Sequence, residues 1–106
     1  MSRSDPSGDC ATKLAVLADP TRLSVMEILL AGPQNVKAIN RRVPIAQNLL
    51  SHHLRVLRDA GLVVADRDGK AVRYALAEGV ALQAAGGGIN LGCCNLQFTK
   101  IETGAR

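Results

Sequence analysis

The segment that decides the fold runs from Ile45 to Val64 and reads IAQNLLSHHLRVLRDAGLVV. At 100° per residue, one face of a helix here carries Leu50, His53, Leu54 and Leu57. The remaining faces carry amides, a hydroxyl, an imidazole and guanidinium groups, from Gln47, Asn48, Ser51, His52, Arg55 and Arg58. Such groups can hydrogen-bond to base edges and phosphates, and Gly61 supplies a left-handed cap that ends the helix. We therefore interpret the segment as a DNA-recognition helix.

The composition predicts one domain with one modest core, because the chain has 106 residues and nearly half of them, 47%, are hydrophobic. Tyr74 and Phe98 are the two aromatic residues, too few for the stacking platforms that single-stranded nucleic acid needs. We find no apolar run of membrane-spanning length and no apolar core of a signal peptide near the start. The sequence predicts a cytoplasmic protein whose three cysteines are kept reduced.

The positive charge is concentrated around the predicted recognition helix. Between Asn35 and Tyr74 lie the eight basic residues Lys37, Arg41, Arg42, Arg55, Arg58, Arg67, Lys70 and Arg73, opposed by Asp59, Asp66 and Asp68. The net charge of the whole chain is +4, so this stretch accounts for all of the excess. A clustered positive charge is the footprint of a DNA-binding surface, although a solvated basic face has the same composition.

Three shorter helices are predicted before the recognition helix. Residues 1–8 form a tail, and a first helix spans residues 9–18. Asp19 and Pro20 then provide a cap and a first helical residue for a second helix that ends near Ala31. Asn35 caps a third helix through Arg42. Two short helices joined by a tight turn, the second with polar groups outward, indicate a helix-turn-helix, although Ala46 stands where a capping serine or threonine is expected.

The hydropathy period changes from 3.6 to 2 after the recognition helix. Asp68 and Gly69 favour a tight hairpin turn, and the hairpin carries Arg67, Lys70 and Arg73. A basic hairpin in this position is the wing of a winged helix-turn-helix, placed to contact phosphate or the minor groove. The predicted fold class is mainly α with a β-hairpin, in the order α-α-α-α-β-β. This domain spans residues 9–78.

A poorly defined C-terminal segment, residues 79–106, follows the winged domain. The triple glycine at residues 86–88 interrupts any helix there. Residues 89–98 alternate in hydropathy, which favours one extended segment with Cys93 and Cys94 on opposite faces.

Three stretches resemble the arsenical-resistance repressor (ArsR/SmtB) family of bacterial metal sensors: LADPTRLSVMEILL, LSHHLRVLRDAGLV and DGKAVRYAL. The resemblance covers roughly residues 14–76 and implies a homodimeric winged-helix repressor, not an enzyme, that leaves a two-fold symmetric operator when an inducer binds. It implies base contacts from Gln47, Asn48, Ser51 and His52, and phosphate contacts from Arg55, Arg67, Lys70 and Arg73. The family's two flanking helices build its dimer interface, so the resemblance implies that residues 79–106, with Cys93 and Cys94, serve dimerisation and sensing. The triple glycine departs from the family's usual final helix.

The family's familiar metal sites are absent from this sequence. Residues 35–43 contain no Cys-x-Cys, and no histidine follows His53. The remaining candidate ligands are Cys93, Cys94 and Cys10, and soft thiolates select soft acceptors. Trivalent arsenic takes three sulfurs, so the predicted inducer is As(III) or Sb(III), with Cd(II), Pb(II) or Hg(II) as alternatives, and no cofactor is obligatory. Adjacent cysteines in a strand can share an ion only if Gly92 lets the backbone kink.

Other functions stay open at this point. The thiols could form a redox or persulfide switch, or the cysteines could be inert core residues of a constitutive DNA-binding protein. A winged helix that binds protein instead of DNA is a further alternative. A metal site at the two histidines is rejected, because neighbours on a helix do not converge: His53 is expected in the core and His52 outside. Catalysis is rejected, because no paired carboxylates, phosphate loop or Cys/His arrangement can be recognised.

Overall fold

The computed structural model of the protein describes residues 6–82 and 87–98. The four helices are α1 (Pro6–Leu17), α2 (Pro20–Leu29), α3 (Val36–Arg42) and α4 (Gln47–Asp59). The five strands are β1 (Gln34–Asn35), β2 (Val63–Asp68), β3 (Ala71–Leu76), β4 (Gly88–Asn90) and β5 (Asn95–Gln97). The predicted order of four helices and a hairpin is therefore present, with a short strand before α3 and a second hairpin added.

Side chains fix the starts of two helices as the sequence predicts. Asp19 Oδ1 accepts a hydrogen bond of 3.0 Å from the backbone N–H of Arg22, and Pro20 is the first residue of α2. Asn35 Oδ1 accepts a bond of 2.8 Å from the N–H of Ala38 at the start of α3. Helix α1 begins at Pro6, earlier than the predicted start, so the predicted tail of residues 1–8 overlaps the helix at its end. The first five residues lie outside the described part of the chain.

We expect Asp19→Ala to lower the free energy of unfolding by about 1 kcal/mol at pH 7, the usual effect of losing an N-cap. The hydrogen bond from the Arg22 N–H lowers the pKa of the Asp19 carboxyl from its ordinary value of 3.8. The stabilisation is therefore complete above pH 3.8 and is lost as the pH falls through the lowered pKa. Denaturant unfolding from pH 7 to pH 2.5 measures both effects. Asp19→Asn keeps an acceptor that does not titrate, so it should retain the cap and lose this pH dependence.

The first sheet has the strand order β1-β3-β2, and all of its pairs are antiparallel. Residues that pair directly share a face, so Val63, Ala65 and Arg67 of β2 lie on the same face as Tyr74 of β3. Val63 and Tyr74 are buried, which identifies this face as the one that packs on the helices. Pairing of β1 with β3 joins the segment before α3 to the β2–β3 hairpin, which we call the wing.

The predicted apolar face of the recognition helix lies in the core. Leu50, Leu54 and Leu57 have no exposed surface, and His53 is buried beside them. They pack in one cluster with buried residues of α2 and α3, among them Met26 and Ile39. The helix ends at Asp59 and Gly61 follows with a φ of +80°, as its sequence predicts. Two predictions about this helix, its buried face and its C-terminal cap at Gly61, are therefore confirmed.

The C-terminal segment is a hairpin where the sequence predicts a single extended stretch. Strands β4 and β5 pair from Gly88↔Gln97 to Asn90↔Asn95, and Ile89 and Leu91 are buried in the main core. Gly88 allows the close approach of the two strands, because a Cβ built there would lie 2.5 Å from the Leu96 carbonyl oxygen. One of the three glycines that exclude a helix is thus required by the hairpin. Within residues 6–82 and 87–98, every helix is too short to cross a bilayer.

Candidate nucleic-acid interface and thiol cluster

The turn between α3 and α4 is fixed by the side chain of Asn40. Its Nδ2 donates hydrogen bonds of 2.9 Å to both the Val43 and the Ile45 carbonyl oxygens. Pro44, between them, has no N–H to contribute, and the Val43 carbonyl also accepts a 2.8 Å bond from the Ile45 N–H. Asn40, in α3, therefore ties that helix to the turn that leads into α4. Sequence reasoning missed it, because an asparagine near a helix C-terminus has no distinctive spacing.

All the residues predicted to read DNA bases are exposed on α4: Gln47, Asn48, Ser51 and His52, with Arg55 one turn further along. Leu49 lies among them with 46% of its surface exposed, an apolar group that the sequence analysis did not select. Ala46 precedes the helix and makes no side-chain cap, as predicted. The exposed side of α4 thus combines polar groups, one apolar side chain and an uncapped N-terminus.

Arg22 connects the recognition helix to the first two helices. Its Nε donates a hydrogen bond of 3.1 Å to Nδ1 of His53, so the ring carries its proton on Nε2 when neutral. Its Nη1 donates a bond of 2.9 Å to the Val16 carbonyl oxygen near the end of α1. The buried histidine therefore has the core position and hydrogen bond that its place on the apolar face predicts. Sequence reasoning did not identify its partner.

The wing separates the basic residues that were grouped in the sequence. Arg67, Lys70 and Arg73 are all exposed. Arg67 lies on the face of the hairpin that also bears Val63 and Tyr74, which is the face toward the helices. Arg73 lies on the opposite face, directly across from Asp66. Arg67 therefore occupies the side of the wing nearer the helices, and Arg73 occupies the other side.

A groove of about 400 Å³ lies between the start of α3, the start of α4 and the wing. Its lining includes Lys37 of α3, Gln47 of α4 and Lys70 of the wing. It therefore joins a predicted base-reading residue to a predicted phosphate-binding residue. Lys37 was counted in the sequence only as part of the basic cluster, and the fold places it on the same groove as Lys70.

The three cysteines, which we call the thiol cluster, meet although Cys10 is far from the others in sequence. Cys10 of α1 and Cys93 form a disulfide with a Cα–Cα distance of 5.9 Å, whereas the sequence analysis expects reduced thiols. The Sγ of Cys94 lies 3.8 Å from Sγ of Cys10 and 3.9 Å from Sγ of Cys93. All three sulfurs lie within 4.8 Å of one another. The fold thus brings Cys10, which the sequence leaves as a separate candidate, next to the adjacent pair.

The turn of the second hairpin brings both neighbouring cysteines toward α1. Gly92 has a φ of +91°, a conformation that side-chain-bearing residues rarely adopt, and its N–H donates a 2.8 Å bond to Asn90 Oδ1. The Leu91 N–H donates to the Cys94 carbonyl oxygen across the turn, at 2.9 Å. Because the chain turns here, Cys93 and Cys94 do not alternate as they would in a strand. The two adjacent cysteines can share one ion only if the backbone kinks at Gly92, and it does so here.

The reduced cluster offers the chemistry of a three-sulfur ion site. Metal–sulfur bonds of about 2.3 Å at near-tetrahedral angles place two sulfur ligands about 3.8 Å apart, close to the distances from Cys94 to its neighbours. Among the described residues, no histidine or carboxylate joins the three cysteines in this group. Cys93 is exposed and Cys94 is partly buried, so a ligand can reach the cluster from solvent. The oxidised cluster instead holds one disulfide and one free thiol.

Comparison with known proteins places this fold in a family. The family model described as "Bacterial regulatory protein, arsR family" matches residues 19–64, from the cap of α2 into β2. The HTH-type transcriptional regulator NmtR of Mycobacterium tuberculosis is 40% identical over 73 residues, covering 69% of this chain and 61% of NmtR. A protein of Streptomyces lividans named "Probable mercury resistance operon repressor" is 40% identical over 62 residues, covering 58% of this chain and 50% of that protein.

A solved structure agrees with these matches over more of the fold. The transcriptional repressor BigR from Xylella fastidiosa superposes with a TM-score of 0.64 at 33% identity, covering 74% of this chain and 83% of that chain. The winged helix-turn-helix predicted from the sequence is therefore confirmed. The chain spans only about half to six-tenths of the two curated relatives above. The chain belongs to the arsR family of bacterial regulatory proteins, a family of transcriptional regulators and not of enzymes.

Proposed function

We propose that the protein is a cytoplasmic, homodimeric repressor that binds a two-fold symmetric operator and releases it when a thiophilic metalloid, As(III) or Sb(III), binds the thiol cluster. The observation that carries this proposal is the meeting of Cys10, Cys93 and Cys94 within 4.8 Å in a chain of the arsR family. One part of the molecule would hold DNA and another would receive the signal. Each part has separate support and a separate test.

The support for DNA binding is the exposed side of α4 beside the basic wing. Gln47, Asn48, Ser51 and His52 present donors and acceptors suited to base edges in the major groove. The start of α4 lacks a side-chain cap, so its first N–H groups can donate to a phosphate. Lys37 and Lys70 flank the groove beside that helix start. Positively charged groups beside a helix N-terminus suit a phosphate of the DNA backbone.

The support for a metalloid inducer is the number and kind of ligands in the thiol cluster. Thiolates favour soft acceptors, and three sulfurs match the three bonds of pyramidal As(III) or Sb(III). Structural zinc requires four ligands, and the described residues supply no fourth histidine, cysteine or carboxylate in this group. Hg(II), Cd(II) and Pb(II) remain alternative inducers. The Streptomyces lividans relative carries mercury resistance in its name, which makes mercury the first comparison.

Replacing Cys94 by serine tests the inducer site. Operator DNA is first selected from a random library, and reduced protein bound to it is titrated with arsenite. We expect release of the wild-type protein at one arsenite per chain, and an apparent arsenite affinity at least tenfold weaker for Cys94→Ser. Operator affinity without arsenite should be the same for both proteins. If arsenite releases both proteins equally, the cysteines are inert. If Hg(II) releases the wild-type protein and arsenite does not, the inducer is Hg(II) and not As(III) or Sb(III).

Salt-dependent binding to the same operator tests the DNA interface. Arg55→Ala and Lys70→Ala should each weaken binding and reduce the magnitude of the slope of log affinity against log salt by about 2, because each removes one phosphate contact from each subunit of the dimer. Arg73→Ala provides a matched control on the wing, since Arg73 lies on the opposite face across from Asp66 and should change the slope less. Binding without salt dependence, or the same slopes in all three variants, would contradict this interface.

The disulfide favours a second function for the same fold, a repressor that responds to thiol oxidation or persulfides. Cys10 and Cys93 are joined in the structure, and the disulfide links α1 to the C-terminal hairpin. If oxidation is the signal, operator affinity should fall at least tenfold between protein reduced with a dithiol and the oxidised protein, with no metalloid present. If both forms bind equally, oxidation alone does not regulate DNA binding.

A further inference from the structure

We infer that the disulfide and the bound metalloid are mutually exclusive states of the thiol cluster, so that oxidation decides whether the protein can sense its inducer. This inference rests on the proposed function and adds a regulation of the same site. It is carried by one geometric fact: the sulfurs that would hold the ion are the sulfurs that form the disulfide.

A disulfide removes two of the three ligands. With Cys10 joined to Cys93, Cys94 is the one free cysteine. Its sulfur lies within 4 Å of both disulfide sulfurs, at 3.8 and 3.9 Å, so its thiolate can attack either of them and exchange partners. With three cysteines, every such exchange again leaves one thiol. A single thiolate cannot chelate an ion. Every disulfide form of the cluster is therefore unable to bind the metalloid.

The oxidation needs a two-electron oxidant, for which a hydroperoxide is the chemical class that we name. The exposed Cys93 thiolate attacks the peroxide, with uptake of one proton, giving a sulfenic acid and an alcohol. The Cys10 thiol then attacks the sulfenic sulfur, forming the S–S bond and releasing water. Overall, two thiols and one hydroperoxide give one disulfide, one alcohol and one water. A dithiol reductant reverses the change by two exchanges and becomes a disulfide itself.

The bound metalloid protects the thiols by the same reasoning. Arsenous acid reacts with three thiols to give three As–S bonds and three molecules of water, with no change in oxidation state. All three sulfurs are then bound, and the lone pair that would attack an oxidant is shared with arsenic. The ion therefore slows disulfide formation, and the disulfide prevents ion binding. The two reactions compete for one set of sulfurs.

The two directions can be measured without DNA. The full chain is prepared reduced or oxidised, and arsenite binding is counted by native mass spectrometry. We expect one arsenite on the reduced chain and none on the oxidised chain, with binding restored by a dithiol reductant that is then removed. The reverse direction uses diamide, a thiol oxidant, on reduced chains with and without saturating arsenite. Disulfide formation, measured from the thiols that can still be alkylated once diamide and arsenite have been removed, should be at least tenfold slower with arsenite.

Cys94→Ser is the matched variant, because it lacks the third ligand and keeps the cysteines of the disulfide. It should form the Cys10–Cys93 disulfide as wild type does, and arsenite should protect it at least tenfold less. Arsenite on the oxidised wild-type chain, or equal oxidation rates with and without bound arsenite, would overturn the inference. If the reduced wild-type chain takes up no arsenite, the proposed inducer is wrong, a result separate from both of those outcomes.

Discussion

Leu54→Ala is expected to lower the free energy of unfolding by about 3 kcal/mol, the middle of the range for a leucine truncated in a rigid core. The side chain has no exposed surface and lies in the one cluster that holds α2, α3 and α4 together. Truncation loses both its burial and its contacts, and the surrounding helices cannot close the space. For a domain near 100 residues this corresponds to a fall in Tm of roughly 10–20 °C. Thermal and urea unfolding at one protein concentration measure it.

Leu49→Ala is the matched control on the same helix. It makes the same chemical change five residues away, at a position with 46% of its surface exposed, and should alter stability by less than about 0.5 kcal/mol. Similar losses in the two variants would contradict the assigned faces of α4. Leu49 lies between the exposed His52 and the buried His53 around the helix, so its exposure places it at the edge of the buried face.

The faces of α4 were predictable because the spacing of apolar residues along a helix reflects which side of the helix is buried. A leucine every three or four residues leaves one arrangement that removes them from water, and this arrangement also places His53 in the core. The caps at Asp19 and Asn35 were predictable for a similar reason, since a short acceptor beside a free N–H is a local interaction. In each case, the residues that determine the feature lie within a few positions of it in the sequence.

The features that sequence reasoning missed depend on distant parts of the chain. Strand β1 has two residues, too few for any period, and exists because β3 passes beside it. The split between Arg67 and Arg73 follows from the register of the wing, which composition does not fix. The alternation in residues 89–98 was real, but it continued across a turn that Gly92 and Asn90 create. Alternating hydropathy does not distinguish one strand from two that are joined by such a turn.

The thiol cluster and the recognition surface are connected through α1. The disulfide attaches Cys10, in α1, to the C-terminal hairpin, and Lys13 Nζ donates a 3.3 Å bond to the Leu91 carbonyl oxygen one turn later. Near its other end, the Val16 carbonyl accepts from Arg22, which also reaches His53 in α4. A chain of contacts therefore runs from the hairpin through α1 to a residue that touches the recognition helix. Arg22 makes the last two of these contacts, to Val16 and to His53.

Arg22→Met is expected to lower the free energy of unfolding by about 3 kcal/mol, because two partly buried acceptors each lose a donor at about 1–3 kcal/mol. Methionine keeps the apolar stem and the backbone N–H to Asp19, so the loss reports on the guanidinium bonds to Val16 and His53. Arg58→Met, at an exposed position of α4, should change stability by less than about 0.5 kcal/mol. A double-mutant cycle with His53→Leu should recover about 1 kcal/mol of coupling between Arg22 and His53. Additive effects in that cycle would show that the bond from Arg22 to His53 does not hold the recognition helix in place.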